Sequence, residues 1–170
     1  MTGKLIGVLL IICGCGGMGF AIVAAYKQEE AALRQLIGGL DFMECELQYH
    51  LTPLPELCRR AGTHTKGVVG RILCTISQEL DNQISPDVCS CVRAALTRCG
   101  DMPRRIRKAF EILGTSLGRF DLEGQIRGLE TVRGYCRGEL EALASNRDNR
   151  LRSYQTLSLC AGAALAILFV

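Results

Sequence analysis

Apolar positions recur along this chain in two ways. Between residues 27 and 152 they return every three or four residues, the period of a helix with one buried face, whereas at the two ends they run together without interruption. No alternating run is long enough to predict a strand, so the expected class is all-α. The first periodic stretch carries Leu33, Leu36, Ile37, Leu40, Met43 and Leu47, and Gly38-Gly39 should weaken it. Thr52-Pro53-Leu54-Pro55-Glu56 restarts the chain, with Thr52 the expected cap and the prolines tolerated in a first turn whose amides lack helical partners. A short helix is predicted over residues 54–61, and a longer one over 64–80 with Val69, Ile72, Leu73, Ile76 and Leu80 inward.

Ser85-Pro86-Asp87 marks another start, followed by Val88, Cys91, Val92, Ala95, Leu96 and Cys99 before Gly100. A fifth helix uses Ile106, Ala109, Phe110, Leu113 and Leu117 and stops near Gly118. Asp121 then caps a sixth, with Leu122, Ile126, Leu129, Val132, Cys136, Leu140 and Leu143 inward. Short connections favour antiparallel neighbours, and Leu54 and Ile126 are the expected buried anchors.

The uninterrupted ends read differently. Residues 5–25 form 21 positions without a charge, enough for a bilayer core, and residues 153–170 are also uncharged. At about 1.5 Å per residue that second stretch reaches roughly 27 Å, the short side of a span. The expected architecture is an antiparallel bundle of about six helices between two transmembrane helices: residues 1–26, a bundle over 27–152, and residues 153–170. Of the 20 Lys and Arg, 19 lie between the spans, the exception being Lys4, which places the bundle in the cytoplasm. A cleaved signal peptide is the rival reading of the first segment, but its apolar run exceeds the usual ~7 to 15 residues.

Composition narrows the function classes. Hydrophobic residues make up 48% and charged residues 22%, with 19 glycines and no tryptophan, which fits a chain partly in lipid better than a soluble enzyme. A net charge of +3 is too mild for a nucleic-acid partner, so none is expected. Gly14, Gly16 and Gly19 match Gly-x-Gly-x-x-Gly, but without the strand and acidic residue that a dinucleotide site needs; a small-residue face for helix packing is the better reading, with Gly162 and Ala166 as a second such pair.

Candidate chemistry is sparse. Ten cysteines occur without a Cys-x-x-Cys pair; Cys13, Cys15 and Cys160 fall in the apolar ends, and Cys91 and Cys99 fall on a core stripe. His50 and His64 have no nucleophile motif nearby. Glu44 with Glu46, and Glu139 with Glu141, stand at i,i+2 on helices and point to different faces, so no acid/base dyad follows. No catalytic residue, metal or cofactor is expected. Arg104, Arg105, Arg107 and Lys108 form the densest basic patch, read first as a solvated helix face around a buried Ile106, with a contact for anionic lipid or an acidic partner as the alternative.

Two motifs carry a resemblance. Leu40, Glu44, Glu46, Tyr49, Thr52, Pro53, Leu54, Pro55 and Glu56 form one; Leu117, Gly118, Asp121, Gln125 and Ile126 form the other. In their spacing, and in the two apolar ends around them, the chain resembles the stage III sporulation protein AB family of endospore-forming bacteria. That resemblance implies a non-enzymatic component of the channel complex between mother cell and forespore. It also implies a bundle similar to the F-type platform protein of type II secretion, seated in the mother-cell membrane. The implied partners are a secretion-type ATPase (sporulation protein AA), other channel membrane subunits, the bilayer, and further copies of the chain. The competing reading is a two-span ligand sensor with its bundle outside the cytoplasm, against which the basic residues and the lack of a signalling segment both weigh.

Overall fold

The computed structural model describes the backbone of residues 2–50, 52–82, 87–118 and 121–169, and side chains within 24–50, 52–82, 87–118 and 121–145. Six helices account for it: α1 (Thr2–His50), α2 (Leu54–His64), α3 (Gly67–Asp81), α4 (Val88–Cys99), α5 (Arg104–Ser116) and α6 (Leu122–Phe169), with no strand among the described residues. The six helices include both ends of the chain, because α1 and α6 are long enough to carry the apolar segments themselves. Among the described residues no helix is long and apolar enough to cross a membrane. Most of residues 5–25 and all of 153–170 lie outside the described side chains.

Contacts divide the chain into two units, Met1–Cys136 and Arg137–Val170. In the first, the predicted stripes form the core. Leu33, Leu36, Leu40 and Met43 of α1, Leu57 of α2, Ile72, Leu73 and Ile76 of α3, Leu96 of α4 and Ile106, Phe110 and Leu113 of α5 are all fully buried. Burying one such side chain stabilises by about 1.5–3 kcal/mol, so these stripes account for why amphipathic helices this short hold their shape. Leu129, Val132 and Cys136 of α6 join them. The second unit is the remainder of α6, in which Leu143 is buried and Leu140 half-buried.

Several expectations are corrected. α1 runs through Gly38-Gly39 unbroken. A Cβ on Gly39 would lie 2.9 Å from Thr65 Cγ2, so that glycine admits a neighbour rather than breaking a helix. α2 extends three residues further than expected and takes His64 as its last, while α3 begins at Gly67, whose φ of 69° suits glycine. Thr52 does not cap α2: Pro53 occupies that position and no side chain caps the helix. Leu54 and Ile126 are half-buried, and the anchors one turn along are Leu57 and Leu129; Leu122 is exposed.

Candidate functional site

The two motif segments are brought together at the start of α2 and the end of α5. Pro53 supplies the N-terminal boundary of α2 with φ −56° and ψ 145°, and its carbonyl accepts the Leu57 amide at 2.9 Å. Pro55 sits in the first turn, where a missing amide hydrogen costs nothing. Leu117 is buried and Gly118 follows with φ 74°. A Cβ at Gly118 would be 2.5 Å from Val88 Cγ2 and 3.7 Å from Leu54 Cδ2, so Leu54 of one motif packs against Gly118 of the other. Asp121 caps α6 as expected, accepting the Gly124 amide on Oδ1 at 3.1 Å, and its carbonyl accepts the Gln125 amide at 2.9 Å.

Charged motif residues tie helices together. Thr52 Oγ1 donates to Glu46 Oε2 at 2.9 Å, which explains why its hydroxyl is not spent as a cap. Arg60 joins two carboxylates, reaching Glu46 at 3.2 Å and Glu56 at 2.8 Å, and Arg59 also pairs with Glu56. The hydrogen bonds from Arg60 and then Arg59 hold the Glu56 carboxyl below its ordinary pKa, and Glu56 in turn raises that of Arg60. Glu44 takes a separate partner, Arg133 of α6, whose Nε also stands 3.3 Å from Asp41 Oδ1, off the hydrogen-bond line. Glu44 and Glu46 thus serve different helices, as their spacing requires. Tyr49, on the last turn of α1, is 77% exposed.

The basic segment is not one uniform patch. Arg105 is paired with Glu29 of α1 at 3.1 Å, and Arg107 donates to the Gly100 carbonyl at 3.3 Å. Arg104 and Lys108 are exposed. Arg104 and Arg105 also line a cleft of about 630 Å³ with Tyr26 and Glu29 of α1, Arg71 of α3 and Asp101. Sequence reading passed over Arg71, Arg133 and Glu29 because nothing local marks them; the Glu56–Arg60 pair, at i,i+4, carried a signal that could have been used.

Several thiols and one imidazole contribute packing, while His50 is exposed. Cys58, Cys91 and Cys136 are buried and Cys99 is half-buried, with Cys45 exposed. Burial, reinforced by the neighbouring Cys74, pushes the Cys58 thiol up to about 12, and burial with Glu79 and Asp87 also raises Cys91. His64 stacks on Phe42 with ring centroids 4.8 Å apart, fixing the end of α2 to α1. Glu79, buried, is paired with Arg98 at 2.6 Å across α3 and α4. Among the described residues no group of His, Cys, Asp and Glu could hold a metal ion.

A family model described as stage III sporulation protein AB matches residues 4–170. A solved structure titled stage III sporulation protein AB is similar in fold, with a TM-score of 0.63 and 16% identity, covering 72% of this chain and 98% of its own. No curated protein matches. The chain belongs to the stage III sporulation protein AB family, and its role is in sporulation.

Proposed function

We propose that this chain is a membrane-anchored helical platform, not an enzyme, within the channel complex that links mother cell and forespore. The observation that carries the reading is the continuity of the two long helices. α1 has 49 residues and α6 has 48, and each leads from the bundle into an uncharged end segment. About 20 such residues span a bilayer core, so both ends are read as transmembrane, with the bundle in the mother-cell cytoplasm beside the positive charge. Family membership supports the sporulation setting. The bundle's proposed similarity to secretion platforms is the ground for the proposed partner, a secretion-type ATPase, alongside other channel subunits.

The polar groups of the bundle fit a holding role. Glu44, Glu46 and Glu56 are each neutralised by an arginine, so they stabilise the helix arrangement rather than reacting. Exposed Tyr49, Arg104 and Lys108 are available to a partner. Impermeant maleimide tests the topology on the exposed Cys45: it should stay unlabelled in intact cells and label once membranes are opened. Labelling in intact cells would invert the topology and favour the sensor. Copurification of the full chain with the ATPase in lipid tests the partner, and its failure would remove the platform mechanism.

A further inference from the structure

The cleft of about 630 Å³ opens where α1 leaves its apolar segment, with Tyr26 on that helix, Arg71 on α3, and Asp101, Arg104 and Arg105 at the entry to α5. Pockets of a few hundred cubic ångströms suit a small-molecule group. Its charge is unbalanced. α5 begins with Arg104-Arg105-Ile106-Arg107-Lys108 and has no acidic residue in its first turn, although the positive end of a helix favours anions and disfavours cations. No side chain caps its first amides.

Within that excess, Glu29 neutralises Arg105 and the Gly100 carbonyl accepts from Arg107. Arg71 and Arg104 are exposed and have no ion-pair partner among the described residues. Asp101 is the cleft's one unpaired carboxylate among them. Two free guanidinium groups and an uncompensated helix start therefore outweigh one carboxylate. Guanidinium groups and helix amides both match phosphate oxygens, the former by paired N–H donors. Tyr26 follows the apolar run directly, where aromatic side chains meet lipid headgroups.

The geometry points to a seat for a phosphate group, gripped by Arg71 and Arg104, whose source is the headgroup of an anionic phospholipid beside residues 5–25. This rests on the proposed reading of that segment as a membrane span. Arg105 acts through its Glu29 pair to hold the start of α5 against α1.

The test uses the full chain in lipid nanodiscs. Entry into phosphatidylcholine discs is read first and tests the span alone. Discs of mixed phosphatidylglycerol and phosphatidylcholine are then dissolved in mild detergent, and the lipids retained are counted by native mass spectrometry. Wild type should retain phosphatidylglycerol preferentially. The Arg71→Gln/Arg104→Gln pair should lower that preference about tenfold at unchanged helicity, and Arg71→Lys/Arg104→Lys should fall between. Arg93→Gln/Arg127→Gln removes the same charge from two exposed positions outside the cleft and should stay within about twofold. Equal loss in both pairs, or none in the first, would overturn the seat. Inorganic phosphate that displaces phosphatidylglycerol at equal concentration, and depends on Arg71 and Arg104, would overturn the lipid source. Failure to enter any disc would remove the span reading and this inference together, whereas entry without preference removes this inference alone.

Discussion

Gly62 and Gly70 bring α2 and α3 into backbone contact: a Cβ on Gly70 would stand 2.8 Å from the Gly62 carbonyl oxygen, and one on Gly62 would stand 3.1 Å from the Gly70 carbonyl oxygen. At Gly70 the obstacles are backbone, the Thr65 carbonyl oxygen nearest at 2.6 Å; at Gly62 the Cys74 Sγ is nearest at 2.6 Å, but the Cys74 amide nitrogen at 2.9 Å is backbone, which cannot rotate away as a side chain does. Gly62→Ala or Gly70→Ala should therefore destabilise the chain by about 1–3 kcal/mol, the usual range for overpacking. Gly38→Ala should act in the opposite direction by about 0.5–1 kcal/mol, since nothing lies within 4 Å of its Cβ and alanine is the better helix former. Thermal unfolding of the three variants measures both signs. Destabilisation at Gly38 equal to that at Gly62 would show that helix propensity and space are not the controlling factors.

Glu56 provides a pH-dependent contribution. Its carboxyl is held below the ordinary value by hydrogen bonds from Arg60 and then Arg59, so the folded state binds that proton less readily than the unfolded chain. The resulting stabilisation is present above the ordinary carboxylate value and is lost as pH falls through the lower folded value. Both arginine partners are exposed to solvent, so the effect on unfolding is small and the titration itself is the better measurement. Carboxyl NMR should place the Glu56 midpoint below that of an unpaired glutamate, and Arg60→Gln should move it upward. A midpoint unmoved by Arg60→Gln would show that the pair does not persist in solution.

Cys58 should be the slow thiol. The thiolate is the reacting form, and burial pushes Cys58 up to about 12 while Cys45 stands exposed on α1. Alkylation at pH 8 followed by peptide mass spectrometry should find Cys45 modified first, with Cys58 modified only as denaturant opens the bundle. Equal rates at the two positions in native conditions would mean that α2 and α3 separate readily, against the glycine contact between them.

These residues also mark how far the sequence could be read. The stripes of α1, α3, α4 and α5 were legible because burial on one face imposes the helical period, and the Asp121 cap was legible because its partner is three residues away. Thr52 was misassigned as a cap because its hydroxyl goes to Glu46, a preference that spacing alone does not rank. Leu54 and Leu57 are both apolar at the start of one helix, and only the direction of α2 decides that Leu57 enters the core. That Gly39 admits Thr65 could not be read from the sequence, since a close neighbour leaves no local trace. The basic segment looked uniform for the same reason: Glu29, which pairs with Arg105, is 76 residues away in sequence.

That division changes how the proposed ATPase contact is tested. Reversing Arg105 would break its pair with Glu29 and disturb the bundle, so a loss of binding there would report folding. Arg104 and Lys108 are exposed and their replacement should leave helicity intact. Arg104→Glu/Lys108→Glu should slow association with an ATPase that presents an acidic surface and flatten its dependence on ionic strength, because exposed charges govern encounter more than final affinity. Stopped-flow association at several salt concentrations measures both. Arg71→Gln separates this surface from the cleft: it lies outside the basic segment and should leave ATPase kinetics unchanged. Unaltered kinetics for the double reversal at low salt would make the segment a solvated helix face and move the search to the last turn of α1, where Tyr49 is exposed.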